Sequence, residues 1–105
     1  MSQVVSSVEN NETPVMTLSR DLLIINKRGL HARASAKFVQ TVEAYDAEIR
    51  VTKDGMTVGG TSIMGLMMLA ASTGSSVSVT AEGRQAREAL EALDALVGDK
   101  FGEEA

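Results

Sequence analysis

His31 is the only histidine in the 105 residues, and there is no cysteine. Any imidazole chemistry therefore rests on one ring. The lack of cysteine excludes a disulfide framework, a zinc ribbon, an iron–sulfur cluster and a thiol nucleophile. One imidazole cannot be both a metal-ligand pair and a general base, so no metal site is expected. The neighbours of His31 narrow the chemistry further. In Gly29-Leu30-His31-Ala32-Arg33-Ala34 the imidazole follows a glycine that lets the backbone turn sharply, and a guanidinium stands two residues on. A helix starting here would present unpaired N–H groups and about half a positive charge, which suits an anion. Arg33 could hydrogen-bond phosphate oxygens, with Arg28 and Lys27 adding positive potential. The positive helix end disfavours a second positive charge on the ring and leaves it nucleophilic. No Asp, Glu or Ser partner stands at triad spacing, which favours a group carrier over a hydrolase. A lone histidine at a helix start also fits a plain cap or a bystander, and spacing alone does not separate these readings.

A second group of residues stands at Ser62. It precedes the apolar segment Ile63 to Ala71 as an N-cap would, a role worth about 1 kcal/mol against alanine. Ile63, Met64, Leu66, Met67, Met68 and Leu69 leave this helix almost no polar side, so some of them must be exposed. Leu66 and Leu69 are expected in the core. Methionine suits a surface that meets several differently shaped partners in turn, because its thioether chain repacks readily.

The rest of the chain must position these groups. A length of 105 residues suits one domain. A composition 44% hydrophobic, 23% charged and 3% aromatic implies a globular protein with an aliphatic core. The net charge of −4, with ten Lys and Arg thinly spread, argues against a nucleic-acid partner. No apolar run approaches the roughly 20 residues of a membrane span, and no signal peptide opens the chain, so membrane insertion is not expected and the cytoplasm is the expected location.

Residues 1–16 read as a polar, flexible tail and residues 17–105 as the domain. Leu18, Leu22, Leu23, Ile24 and Ile25 suggest a buried strand closed by Asn26 to Gly29. Helix formers from His31 to Tyr45, with Ala32, Ala36, Val39 and Val42 near helical period, predict a first helix. Ile49 and Val51 alternate with polar residues, and Asp54-Gly55 signals a hairpin back through Met56 and Val58. The Ser62 helix follows and ends near Gly74. Val77 and Val79 mark a fourth strand, and Ala86, Ala89, Leu90, Leu93, Leu96 and Val97 a last helix that Gly98 stops. The order β-α-β-β-α-β-α predicts an α+β open-faced sandwich, a four-stranded antiparallel sheet covered on one face by three helices.

Gly29-Leu30-His31-Ala32-Arg33-Ala34-Ser35-Ala36 and Ser62-Ile63-Met64-Gly65-Leu66-Met67, in this order and at this separation, resemble the HPr family. These are the histidine-containing phosphocarriers of the bacterial phosphoenolpyruvate-dependent phosphotransferase system. The resemblance covers Thr17 to about Val97. It implies that His31 is phosphorylated on Nδ1 by Enzyme I and hands the phosphoryl group to an EIIA-type acceptor, with Arg33 contacting the phosphate. It implies no cofactor, since the phosphoryl group comes from phosphoenolpyruvate through Enzyme I, and a monomer with small, transient contacts. Ile63, Met64, Met67 and Arg28 would join the His31 loop in one docking face. Ser62 matches the regulatory serine that HPr kinase/phosphorylase modifies in many members; a phosphate there would put nearly two negative charges into that face.

Ala34 stands where the commoner family pattern has proline, which leaves one more N–H in the first turn. The Ala34-Ser35 pair resembles forms of a nitrogen-type regulatory branch. Two other readings remain beside the carrier. One is a regulatory binding module whose phosphorylation state controls partner proteins. The other is a small enzyme using His31 as general base, for which a thin sheet with three helices offers little enclosed space.

Overall fold

The computed structural model describes residues 17–104. The expectation for residues 1–16 lies outside the described residues. Four strands form one sheet: β1 (Thr17–Leu23), β2 (Glu48–Lys53), β3 (Met56–Gly59) and β4 (Ser76–Glu82), in the order β1-β4-β2-β3 with every neighbouring pair antiparallel. Three helices, α1 (Ala32–Glu43), α2 (Ile63–Met68) and α3 (Ala86–Gly98), are joined by a final short 3-10 turn, Lys100–Gly102. None of the described helices is long and apolar enough to cross a membrane.

Alternation decides which face of the sheet is covered. Leu22 pairs with Val77, Val51 with Val79 and Val58, and Ile49 with Ala81, which lines up the apolar sides of neighbouring strands. The opposite sides carry Ser19, Asp21, Arg50, Thr52, Ser78 and Thr80. On the apolar face the strands meet Ala34, Phe38, Val39 and Val42 of α1, Leu66 of α2, and Ala86, Ala89, Leu90, Leu93 and Val97 of α3 in one continuous core. The buried stripe of α1 thus centres on Ala34 and Phe38, whereas Ala32, counted from the sequence as part of it, is exposed.

Three boundaries differ from the sequence reading. The run through Ile25 is half-buried rather than fully buried, because Leu22 and Ile24 point inward while Leu23 is 53% exposed on the open face of the sheet. The first helix stops at Glu43, where Ala44 and Tyr45 donate their N–H groups to Thr41 and Val42 and tighten the last turn. The second stops at Met68, six residues long, because Ala70 adopts a left-handed backbone with φ of 53°. That turn sends Ala71 back toward the loop before α1, where its carbonyl accepts the N–H of Leu30 at 2.9 Å.

Candidate functional site

The loop between β1 and α1 is held from three directions. Gly29 takes φ of +66°, and a Cβ built there would lie 2.3 Å from the Ala71 carbonyl oxygen and 2.9 Å from Ser72 Cα. Only glycine lets the loop lie this close to the α2–β4 connection. Asn26, fully buried, donates from Nδ2 to the Gly29 carbonyl at 2.9 Å, and Leu30 is buried beneath. The loop therefore delivers His31 to the N-cap of α1 in an extended conformation, with φ of −75° and ψ of −177°.

His31 does not cap the helix with its side chain. Its carbonyl accepts the Ser35 N–H at 2.9 Å, while the N–H groups at the start of α1 have no side-chain partner and no acidic residue stands in the first turn. These donors and the helix dipole face the space beside the ring. Lys27, Arg28, His31, Arg33, Glu103 and Glu104 line a shallow cavity of about 280 Å³ there. An adjoining groove of about 300 Å³ is lined by Arg28, Leu30, His31, Met67 and the turn Ala70 to Ser72. Among the described residues, no cluster of His, Cys, Asp or Glu is arranged to hold a metal.

The sequence-derived candidates fall into two groups. His31, Arg33, Arg28 and Lys27 come together around one cavity, and Met67 reaches the same neighbourhood through the groove. Ser62, Ile63 and Met64 line neither space. Ser62 is the N-cap of α2, its Oγ accepting the Gly65 N–H at 2.9 Å. Ile63, Met64 and Met67 are exposed, Met64 to 70%, whereas Leu66 and Leu69 are buried.

Glu103 is the participant that the sequence did not disclose. Its Oε2 meets Nε2 of His31, and its Oε1 accepts from Asn26 Nδ2 at 3.0 Å. Burial pushes the Glu103 carboxyl up, but hydrogen bonds from His31 and Asn26 and the nearby charges of His31 and Arg28 outweigh it and hold the group below its ordinary value. In sequence, Glu103 is one acid in a polar, acidic terminus, with no spacing that ties it to His31.

Residues 18–99 match the family model described as the PTS HPr component phosphorylation site. The chain belongs to the HPr family of phosphocarrier proteins. Phosphocarrier protein HPr from Cupriavidus necator is 48% identical over 86 residues, which cover 82% of this chain and 97% of that protein. Phosphocarrier protein NPr from Shewanella violacea is 38% identical, covering 82% and 94%. The crystal structure of HPr-C-His from Thermoanaerobacter tengcongensis aligns with a TM-score of 0.80 and 45% identity, over 84% of this chain and 99% of that one. The HPr open-faced sandwich is the architecture found here, with the cavity around His31 at one end of the sheet.

Proposed function

We propose that His31 takes the phosphoryl group from phosphorylated Enzyme I and passes it to an EIIA-type protein, with phosphoenolpyruvate as the ultimate donor and no cofactor of its own. The observation that carries this reading is the convergence on His31 of a helix start without side-chain caps and three cationic side chains, Lys27, Arg28 and Arg33, around one solvent-open cavity. An incoming phosphate would meet backbone N–H groups and the Arg33 guanidinium, which presents donors in a fork matched to its oxygens. A solvent-open seat suits handover between proteins, because neither partner has to enter an enclosed pocket. Arg28 and the exposed Ile63, Met64 and Met67 form the docking face for both partners. The protein acts as a monomer.

The test is Arg33→Ala. Arg33 is exposed and makes no packing contribution to the core, so the variant should keep the fold and slow transfer in both directions. Transfer at the wild-type rate would overturn the phosphate seat as described.

The Ser62 geometry favours a second, regulatory reading. The residue is exposed, so a kinase of the HPr kinase/phosphorylase type could reach it, and a phosphate at a helix start remains compatible with the fold. The added charge beside Ile63 and Met64 would weaken docking. Ser62→Asp reproduces part of that charge; unchanged kinetics with Enzyme I would count against a blocking role.

A further inference from the structure

We infer that Glu103 is the positioning residue of His31, fixing the ring with its proton on Nε2 so that Nδ1 presents the lone pair that takes up the phosphoryl group. This inference rests on the proposed role of His31 as the acceptor.

The first support is the construction of the segment that carries Glu103. After α3, Lys100, Phe101 and Gly102 take three successive left-handed conformations, with φ of 56°, 55° and 78°. For the two non-glycine residues this backbone is strained, because Cβ crowds the following carbonyl oxygen. The Phe101 ring, fully buried in the core, and Lys37 Nζ, which donates to the Phe101 carbonyl at 2.6 Å, offset it. The N–H of Glu103 then closes on the Lys100 carbonyl at 2.9 Å. The terminus is thus bent back and fastened one turn before its carboxylate reaches the ring.

The second support is the engagement of both carboxylate oxygens. Oε2 faces His31 Nε2, and Oε1 is held by the Asn26 amide, whose same nitrogen also donates to the Gly29 carbonyl. One buried amide therefore ties Glu103 to the loop that places His31. The two side chains are each only 17% exposed. An ionised carboxylate can only accept, so the ring nitrogen that meets it carries hydrogen, and a neutral ring then has a bare Nδ1. This is the relation of an orienting acid to a nucleophilic or basic histidine in enzyme active sites.

The step balances without moving a ring proton. The Nδ1 lone pair forms the bond to phosphorus, and the bond from phosphorus to the donor breaks with its electron pair returning to the donor. Nε2 keeps its hydrogen, and the positive charge of the phosphorylated ring faces Glu103. On handover the phosphorus–Nδ1 bond breaks, the pair returns to Nδ1, and a neutral ring leaves. Among the described residues, the other charged groups around the ring are Lys27, Arg28, Arg33 and Glu104, and the carboxylate of Glu103 is the one in contact with Nε2.

The experiment uses the full chain labelled with ¹⁵N, in which the single histidine gives unambiguous ring signals. Wild type should show the Nε2–H pattern in two-bond ¹H–¹⁵N spectra at neutral pH, and Glu103→Gln and Glu103→Ala a mixture of both neutral forms. Transfer from phosphorylated Enzyme I should fall about tenfold in both variants, the scale of losing a partner that orients a functional histidine. Variants that match wild type in ring pattern and rate, while wild type takes phosphate on His31, overturn the inference alone. Faster transfer would overturn it too, making the carboxylate a competitor of the phosphate. If wild type takes no phosphate on His31, the acceptor reading fails and the inference with it.

Discussion

Phe101 offers a sharp check on how the terminus is held, because its side chain and its backbone pull in opposite directions. The ring is fully buried in the core, and truncation of such a phenylalanine costs about 3–5 kcal/mol. The backbone sits at φ of 55°, where any Cβ is penalised by about 1–2 kcal/mol and glycine is not. Phe101→Ala loses the ring and keeps the penalty, while Phe101→Gly loses the ring and relieves it. Phe101→Ala should therefore cost about 3–4 kcal/mol, and Phe101→Gly about 1 kcal/mol less, a reversal of the usual order of these two residues. Urea unfolding reads both values as shifts of midpoint at constant slope. Since Phe101 anchors the segment that carries Glu103, both variants should also perturb the ring signals of His31. A cost below about 1 kcal/mol for Phe101→Ala, or an alanine variant more stable than the glycine one, would refute the reasoning.

Further outcomes are expected. Gly29→Ala should destabilise by about 3 kcal/mol in urea titrations, since strain at φ of +66° adds to a Cβ placed against the Ala71 carbonyl. Ser62→Ala should lose about 1 kcal/mol in the same assay through the missing cap on Gly65 N–H. Glu103 has a folded value below its ordinary 4.5, so its stabilising effect is fully present above that pH and is lost as pH falls through the folded value. The stability difference between wild type and Glu103→Gln, measured from pH 7 downward, should accordingly shrink in that acid range. Lys100→Gly, relieving φ of 56°, should stabilise by about 1 kcal/mol in thermal or urea unfolding.

The elements with a clean period were legible in the sequence. Ile49 and Val51, Val77 and Val79, and the Ala86 to Val97 stripe each fall on the buried side of their element, because a two-layer sandwich must hide one face of every strand and helix. What misled was backbone conformation without a glycine to announce it. Ala70 ends α2 early, and Lys100 and Phe101 turn the chain after α3, all in left-handed geometry that tertiary contacts impose. By contrast α3 ends at Gly98, the glycine read as its stop.

The same asymmetry governs the site. His31 and Arg33 could be paired from the sequence because one helical turn links them, and Lys27 and Arg28 because they lie in the adjoining loop. Glu103 stands 72 residues from His31. Its approach depends on the Phe101 anchor and the buried Asn26, neither of which spacing can reveal. Ile63, Met64 and Met67 were read together as exposed on α2 beside the His31 loop; all three are exposed, and Met67 is the one that lines the groove at the ring.

The central claim is that His31 carries the phosphoryl group, and mass spectrometry tests it most directly. The intact protein is mixed with phosphoenolpyruvate and a bacterial Enzyme I, alongside His31→Ala. The account predicts a gain of one phosphate that is lost in acid and absent from the variant. No gain in a folded wild-type sample, or an equal gain in His31→Ala, would contradict it.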